Sequence, residues 1–219
     1  MRAVIPFKQE NAKSRLSDIL SKTQRQEFAL AMLYDVIAAV ERSKKFDFIE
    51  VINSSISCAM NINFPSIVNI LLIEKGLNET LNEYLTNAAG NKVQDIFIIM
   101  ADMPLVTEKQ ITELTELHGD IVIAPGSGGG TNVLSIHNPD KFHVDYYGTS
   151  FLDHLRIANE ANQSIGVYDS FLVSTDMDEP DDLVELLIHG HGHAVEYLRS
   201  TGIDLDTSTG RLDLSNMKK

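Results

Sequence analysis

The stretch VQDIFIIMADMPLVT, residues 93–107, is apolar almost without interruption and then sets an acid, Asp102, two positions before a proline. A continuous apolar run suits a strand covered on both faces, as in a parallel sheet; a strand with one wet face would alternate. Pro104 has no N–H for a ladder and biases Met103 away from helix, so the chain must leave the sheet directly after the acid. Ligands of open α/β sheets bind outside the carboxyl ends of the strands. Asp102 is therefore expected at a working rim, and it lies too far ahead of the helix starting near Thr107 to serve as its N-cap.

Around this segment, strand and helix patterns alternate. RAVIPF (2–7) reads as a first strand, stopped by Pro6 and followed by the polar loop KQENAKSRL. In TQRQEFALAMLYDVIAAVERSKK, Phe28, Met32, Leu33, Val36, Ile37 and Val40 recur at helical spacing, with Thr23 and Gln26 as an expected capping box. FDFIEVINSS (46–55) and SIVNILLIE (66–74) are expected strands, and GLNETLNEYLTNAAG an expected helix with Asn78 or Thr80 near its start. DIVIAP and TNVLSI read as strands flanking the glycine loop GSGGG. SFLDHLRIANEA reads as a helix, FLVSTDMD as a late strand, and EPDDLVELLIHGHGHAVEYLRSTG as a helix interrupted at its glycines. The polar tail DLDTSTGRLDLSNMKK supports no assignment. Alternation of this kind predicts an α/β layered fold with a mostly parallel sheet.

A chain of 219 residues fits one domain, expected to span 1–219, and 43% hydrophobic against 22% charged residues is ordinary soluble usage. Eighteen basic residues against 31 acidic ones give a net charge of −13, a field that repels nucleic-acid backbones and anionic membranes. Neither partner is expected. The lone Cys58 cannot form an internal disulfide and reads as structural, and no segment reaches the length of a membrane span. A cytoplasmic location is the expectation.

A second acidic cluster stands in STDMDEPDD (174–182). In an extended segment residues i and i+2 share a face, so Asp176 and Asp178 can aim at one point while Met177 packs the other way. Pro180 and the acids around it suit a helix start, which accounts for Glu179, Asp181 and Asp182 but not for Asp176. Three carboxylates from two strand ends form an oxygen-donor set of the kind Mg²⁺ takes with phosphates. Lys8, Lys13 and Arg15, crowded into the first loop of an acidic chain, add the cations a polyphosphate needs. GSGGG can offer backbone N–H groups to an anion, with Thr131 adding a hydroxyl, but it is neither a Walker loop nor a GxGxxG turn. The run HGHGH has the wrong helical spacing for a shared metal, so His189, His191 and His193 are expected to pack or face solvent.

Taken together, IPFKQENAKSRLS (5–17), MADMPLVT (100–107), GGGTNVL (128–134), YGTSFLDHLRIA (147–158) and TDMDEPDDL (175–183) resemble the 2-phospho-L-lactate guanylyltransferase family of coenzyme F420 biosynthesis, in the right order through nearly the whole chain. The resemblance implies a three-layer α/β/α, Rossmann-like nucleotidyltransferase of the GT-A type. It implies GTP and a small phosphorylated acid, 2-phospho-L-lactate, as substrates, Mg²⁺ as cofactor, and a homodimer as its assembly. By position it implies metal binding by Asp102, Asp176 and Asp178. It implies catalysis by Asp102, Lys13 and Arg15, nucleotide contacts from Pro6, Lys8, Lys13, Arg15, Gly76, Leu77 and Asn78, and acceptor contacts from Thr131, Gly148 and Ser150. The competing readings are phosphoenolpyruvate or another phospho-acid as acceptor, a molybdopterin or sugar-phosphate nucleotidyltransferase, and a non-catalytic nucleotide-binding module.

Overall fold

A computed structural model describes residues 1–9, 12–53, 64–206 and 213–216. Its strands are β1 (Arg2–Phe7), β2 (Phe48–Asn53), β3 (Val68–Leu72), β4 (Ile96–Ile99), β5 (Ile121–Pro125), β6 (Thr131–Ile136), β7 (Ile165–Val167), β8 (Ile203–Asp206) and β9 (Asp213–Asn216). Its helices are α1 (Lys22–Ser43), α2 (Leu77–Gly90), α3 (Glu108–Glu116), α4 (Ser150–Glu160), α5 (Phe171–Ser174), α6 (Pro180–His189) and α7 (His193–Ser200). The first seven strands form one sheet in the order β3-β2-β1-β4-β6-β5-β7, and β8 with β9 forms a separate ribbon. All neighbours in the large sheet are parallel except β6, which runs antiparallel to both β4 and β5. The short loop after β5 allows nothing else, since a parallel return needs a crossover of a dozen or more residues.

Alternation along the buried strands sorts their side chains onto two faces. Ala3, Ile5, Phe97, Ile99 and Val122 pack with α1, α3, α6 and α7. Val4, Ile96, Ile98, Ile121 and Leu134 pack with α2 and α4. Helices on both faces of a central sheet give the three-layer α/β/α arrangement that the family resemblance implies, within the α/β layering that the chain's alternation predicts.

The reversed β6 decides where the site lies. Because Ile96 faces Ile136 and Ile99 faces Val133, the beginning of β6 reaches the same rim as the carboxyl end of β4. The ends of β1 and β5 and the start of β6 therefore gather around Met100–Asp102.

Three expectations require correction. FLVSTDMD is not a strand: Phe171–Ser174 is a single helical turn, and the acids follow in a loop. Its β-branched content misleads because Val173 O accepts from the Asn132 amide and Ser174 O from the Ser127 N–H, which occupies the groups a ladder would use. The capping box of α1 is Ser21 with Gln24, two residues earlier than Thr23 with Gln26. Helix α2 is capped by Gly76, not by Asn78 or Thr80. The tail that supports no assignment contributes β8 and β9, and β7 was not foreseen at three residues. Cys58, Ser54 and Ser55 of the expected second strand, and Glu10 and Asn11 of the first loop, lie outside the described residues.

Candidate active site

Beyond β4 the chain turns, and Asp102 stands three residues past the strand's last position. The two acid-bearing segments are tied by backbone: the Met177 N–H donates to Asp102 O at 3.1 Å, while the Met177 side chain is fully buried in the core. That anchor faces Asp176 and Asp178 outward. One carboxylate oxygen from each of Asp102, Asp176 and Asp178 lies within 4.8 Å of the others, the only such cluster among the described residues. An all-oxygen, partly exposed donor set of this size fits a hard divalent cation. Burial, then the charges of Asp102 and Asp178, push the Asp176 carboxyl above its ordinary range, so the site strains against its own negative charge.

Asn132, at 4% exposure, was not singled out in the sequence, although a polar residue inside an otherwise apolar strand start was its signal. Its amide donates to Val173 O at 2.9 Å and to Asp176 Oδ1 at 3.4 Å, fixing both the loop and the carboxylate. Gly126 must be bare to permit this, because a Cβ there would sit 2.7 Å from Asn132 Oδ1. Asp182 does similar work one helical turn on, accepting the N–H groups of Asp178 and Glu179 and closing a capping box with Glu179 at the start of α6.

Lys13 reaches this cluster from the other end of the chain. Its Nζ lies 2.5 Å from Asp102 Oδ2 and 2.7 Å from Asp178 Oδ1. Burial alone would lower the ammonium's pKa, but the adjacent Asp102 and Asp178 charges outweigh it and raise the value above that of an ordinary lysine. Arg15 is exposed and touches only the rim, at 3.4 Å from Asp178 Oδ2. Lys8, also exposed, lines the neighbouring cavities.

The carboxylates stand between cavities of different character. One of about 280 Å³ is lined by Pro6, Phe7, Lys8, Lys13, Met100 and Asp102. It adjoins a mostly apolar one of about 240 Å³ that shares Pro6, Phe7 and Lys8 and adds Ile52, Leu77 and Thr80. On the far side, a cavity of about 220 Å³ is bounded by Arg15, Ser127, Gly128, Asp176, Asp178 and Glu179. Gly76 lies beside this first group, with Tyr147 Oη 3.3 Å from where its Cβ would be. Asn78 is occupied elsewhere: its amide donates to Asp145 and its oxygen accepts the Tyr146 N–H, which ties α2 to the 144–146 segment.

Thr131 and Ser150 are brought together but lie below the surface. Ser150 Oγ donates to Thr131 Oγ1 at 3.3 Å, and Thr131 Oγ1 meets His154 Nδ1 at 2.9 Å. Gly148, at φ +79, turns the chain into α4 through a conformation that favours glycine. The glycine loop has little left to give an anion, because the N–H groups of Gly126, Ser127 and Gly129 are bonded to Gly130 O, Ser174 O and Gly126 O.

His154 is the hidden member of this group. It is fully buried, and its Nε2 accepts the Asp145 N–H at 3.0 Å, which leaves the proton of the neutral ring on Nδ1 facing Thr131. Burial pushes its pKa down from 6.5 to about 4, and a second proton would also confront the Asp145 N–H. The unfolded chain then binds the extra proton first as pH falls. The stability His154 contributes is complete above pH 6.5 and is lost as pH drops towards 4, a difference on the order of 3 kcal/mol. Urea unfolding at pH 7 and pH 4.5 is expected to show this loss in the wild type and a smaller one in His154→Gln.

The HGHGH run carries no metal cluster among the described residues. Its glycines break the helix between α6 and α7, and the Asp35 carboxylate accepts the N–H groups of His193 and Ala194 at 2.7 and 2.9 Å. That bond docks α7 onto α1.

Residues 1–217 match the family described as "Guanylyl transferase CofC like". A 2-phospho-L-lactate guanylyltransferase from Methanococcoides burtonii is 47% identical over 221 residues, covering 100% of this chain and 98% of the relative. One from Methanoregula boonei is 48% identical over 210 residues, covering 96% and 92%. Among solved structures, a chain from Desulfovibrio desulfuricans G20 described as a nucleotide-diphospho-sugar transferase superposes with a TM-score of 0.73 at 15% identity, covering 92% of this chain and 95% of that one. It supports the fold alone.

Proposed function

Because the chain belongs to the CofC-like guanylyl transferase family, we propose that it joins 2-phospho-L-lactate to GTP, giving lactyl-2-diphospho-5′-guanosine and pyrophosphate for coenzyme F420 biosynthesis. A phosphate oxygen of the acceptor attacks the α-phosphorus of GTP; the bond from that phosphorus to the bridging oxygen breaks, and pyrophosphate leaves with its electrons. A phosphate monoester, with a second pKa near 6, is already largely ionised at neutral pH. No general base is needed, and none of the site's carboxylates has to act as one.

The barrier is mutual repulsion between a dianion and a polyphosphate, and such chemistry is catalysed by positioning and charge. The observation that carries the reading is the convergence of three carboxylate oxygens within 4.8 Å at the wall between separate cavities. Asp102, Asp176 and Asp178 are the residues that would hold Mg²⁺, which would supply positive charge against the phosphates. Pro6, Phe7 and Leu77 offer the nucleoside an apolar wall, and Gly76 starts α2 beside it with the Tyr147 hydroxyl against its bare Cα. Lys13 and Arg15 offset charge on the departing pyrophosphate. Thr131, Gly148 and Ser150 shape the acceptor end, with His154 holding the Thr131 hydroxyl in place.

GTP, CTP and ATP are each to be incubated with 2-phospho-L-lactate, phosphoenolpyruvate, 3-phosphoglycerate and a sugar 1-phosphate, with pyrophosphate release measured. Fastest release with GTP and phospholactate is expected. Release with CTP and a sugar phosphate instead, or GTP binding with no release under any acceptor, would overturn the assignment. Asn132→Leu removes both donors that hold Asp176 and its loop. Turnover is expected to fall about 10- to 100-fold while the circular dichroism spectrum is retained.

A further inference from the structure

Lys13 is unusual in two ways that belong together. Its side chain is only 8% exposed, with its ammonium 2.5 and 2.7 Å from two of the three aspartates. Its backbone is left-handed at φ 53, ψ 46, an uncommon region for a non-glycine residue that Lys44, Lys92 and Asn162 also adopt. The chain on its carboxyl side is pinned: Leu16 is fully buried and its N–H donates to Lys13 O at 3.0 Å. The side chain is what can move.

Resting on the guanylyltransferase reading, we propose that Lys13 is an internal counter-ion, occupying the cation's place between Asp102 and Asp178 until a divalent ion with its nucleotide displaces the ammonium towards the triphosphate. Lys13 occupies carboxylate oxygens of two of the three residues that would hold the ion, and two cations facing one pair of carboxylates repel. Among the described residues Asp176 has no lysine contact; it faces the Asn132 amide, leaving one acid as the landing point for an incoming ion. The exchange conserves local charge compensation. Without it, the empty site would hold three unneutralised carboxylates, and with both cations locked in place the triphosphate would lose a ligand. Lys13 thus couples cation entry to nucleotide entry, which keeps the site from filling with metal alone.

Mn²⁺ titrations of the full chain without nucleotide, followed by electron paramagnetic resonance of the free ion, test this in wild type, Lys13→Met and Arg15→Met. Removing the occupant is expected to tighten Mn²⁺ binding at least about tenfold, and removing the nearby Arg15 charge by about threefold or less. Acylation of lysines by an N-hydroxysuccinimide ester, read by mass spectrometry, gives a second measure. Lys13 should be protected in the metal-free protein and label several-fold faster with saturating Mn²⁺, while Lys109 is unchanged. Lys13 still protected in Mn²⁺-loaded protein that releases pyrophosphate, or equal tightening in the two variants, overturns the exchange and leaves the activity standing. Failure of wild type and Lys13→Met alike to bind Mn²⁺ overturns both.

Discussion

Asp102→Asn is expected to lower kcat for pyrophosphate release about 10³-fold, with the unfolding temperature nearly unchanged. Asparagine keeps the shape and one oxygen but not the charge, so a cation loses one of its three anionic ligands and Lys13 loses its nearest partner. The fold does not depend on that charge. The side chain is partly exposed, and the bond that joins the two acid segments uses Asp102 O of the backbone, which the substitution leaves in place. A kcat within about fivefold of wild type at ordinary Mg²⁺ would remove Asp102 from the cation site.

The largest effect on stability is expected at Gly192. A Cβ there would lie 2.1 Å from Asp35 Oδ1 and 2.5 Å from Asp35 Cγ, and Asp35 cannot retreat without dropping the His193 and Ala194 N–H groups. Its carboxyl already sits above the ordinary aspartate range because burial outweighs those two bonds. Gly192→Ala therefore either strains the α1–α7 contact or leaves buried polar groups unpaired, at a cost of about 3 kcal/mol. For a chain of this size that lowers the melting temperature by roughly 6–12 °C. Turnover per folded molecule should stay near wild type, because Gly192 lines neither of the cavities that the three aspartates line. A melting temperature within about 2 °C of wild type would show that Asp35 has somewhere to go.

What could be read in the chain without coordinates was whatever is written locally. The strands β1, β4, β5 and β6 are almost wholly buried, so hydrophobicity marks them, and the breaks at Pro104 and at the glycines of HGHGH are chemical punctuation. The three aspartates were legible as acids placed next to exits from apolar runs, and Met177 between them does pack inward. The rest depends on partners far away in sequence. Nothing around Asp35 announces the helix it caps, nothing near His154 points to Thr131, and Asn132 acquires its task only when Val173 and Asp176 arrive. FLVSTDMD was misread for the same reason, its carbonyl acceptors being claimed by groups from the β5–β6 loop and β6. The ribbon of β8 and β9 is too short and polar to stand out from a tail.

The backbone bond from Met177 to Asp102 also bears on biosynthesis of the protein. A nascent chain emerging from the ribosome carries Lys13 early and Asp102 near the midpoint, yet it lacks the remaining two acids until synthesis is four-fifths complete. Every strand of the large sheet precedes position 176, so a chain halted just before it holds the whole sequence of that sheet but neither of the two later acids of the cluster.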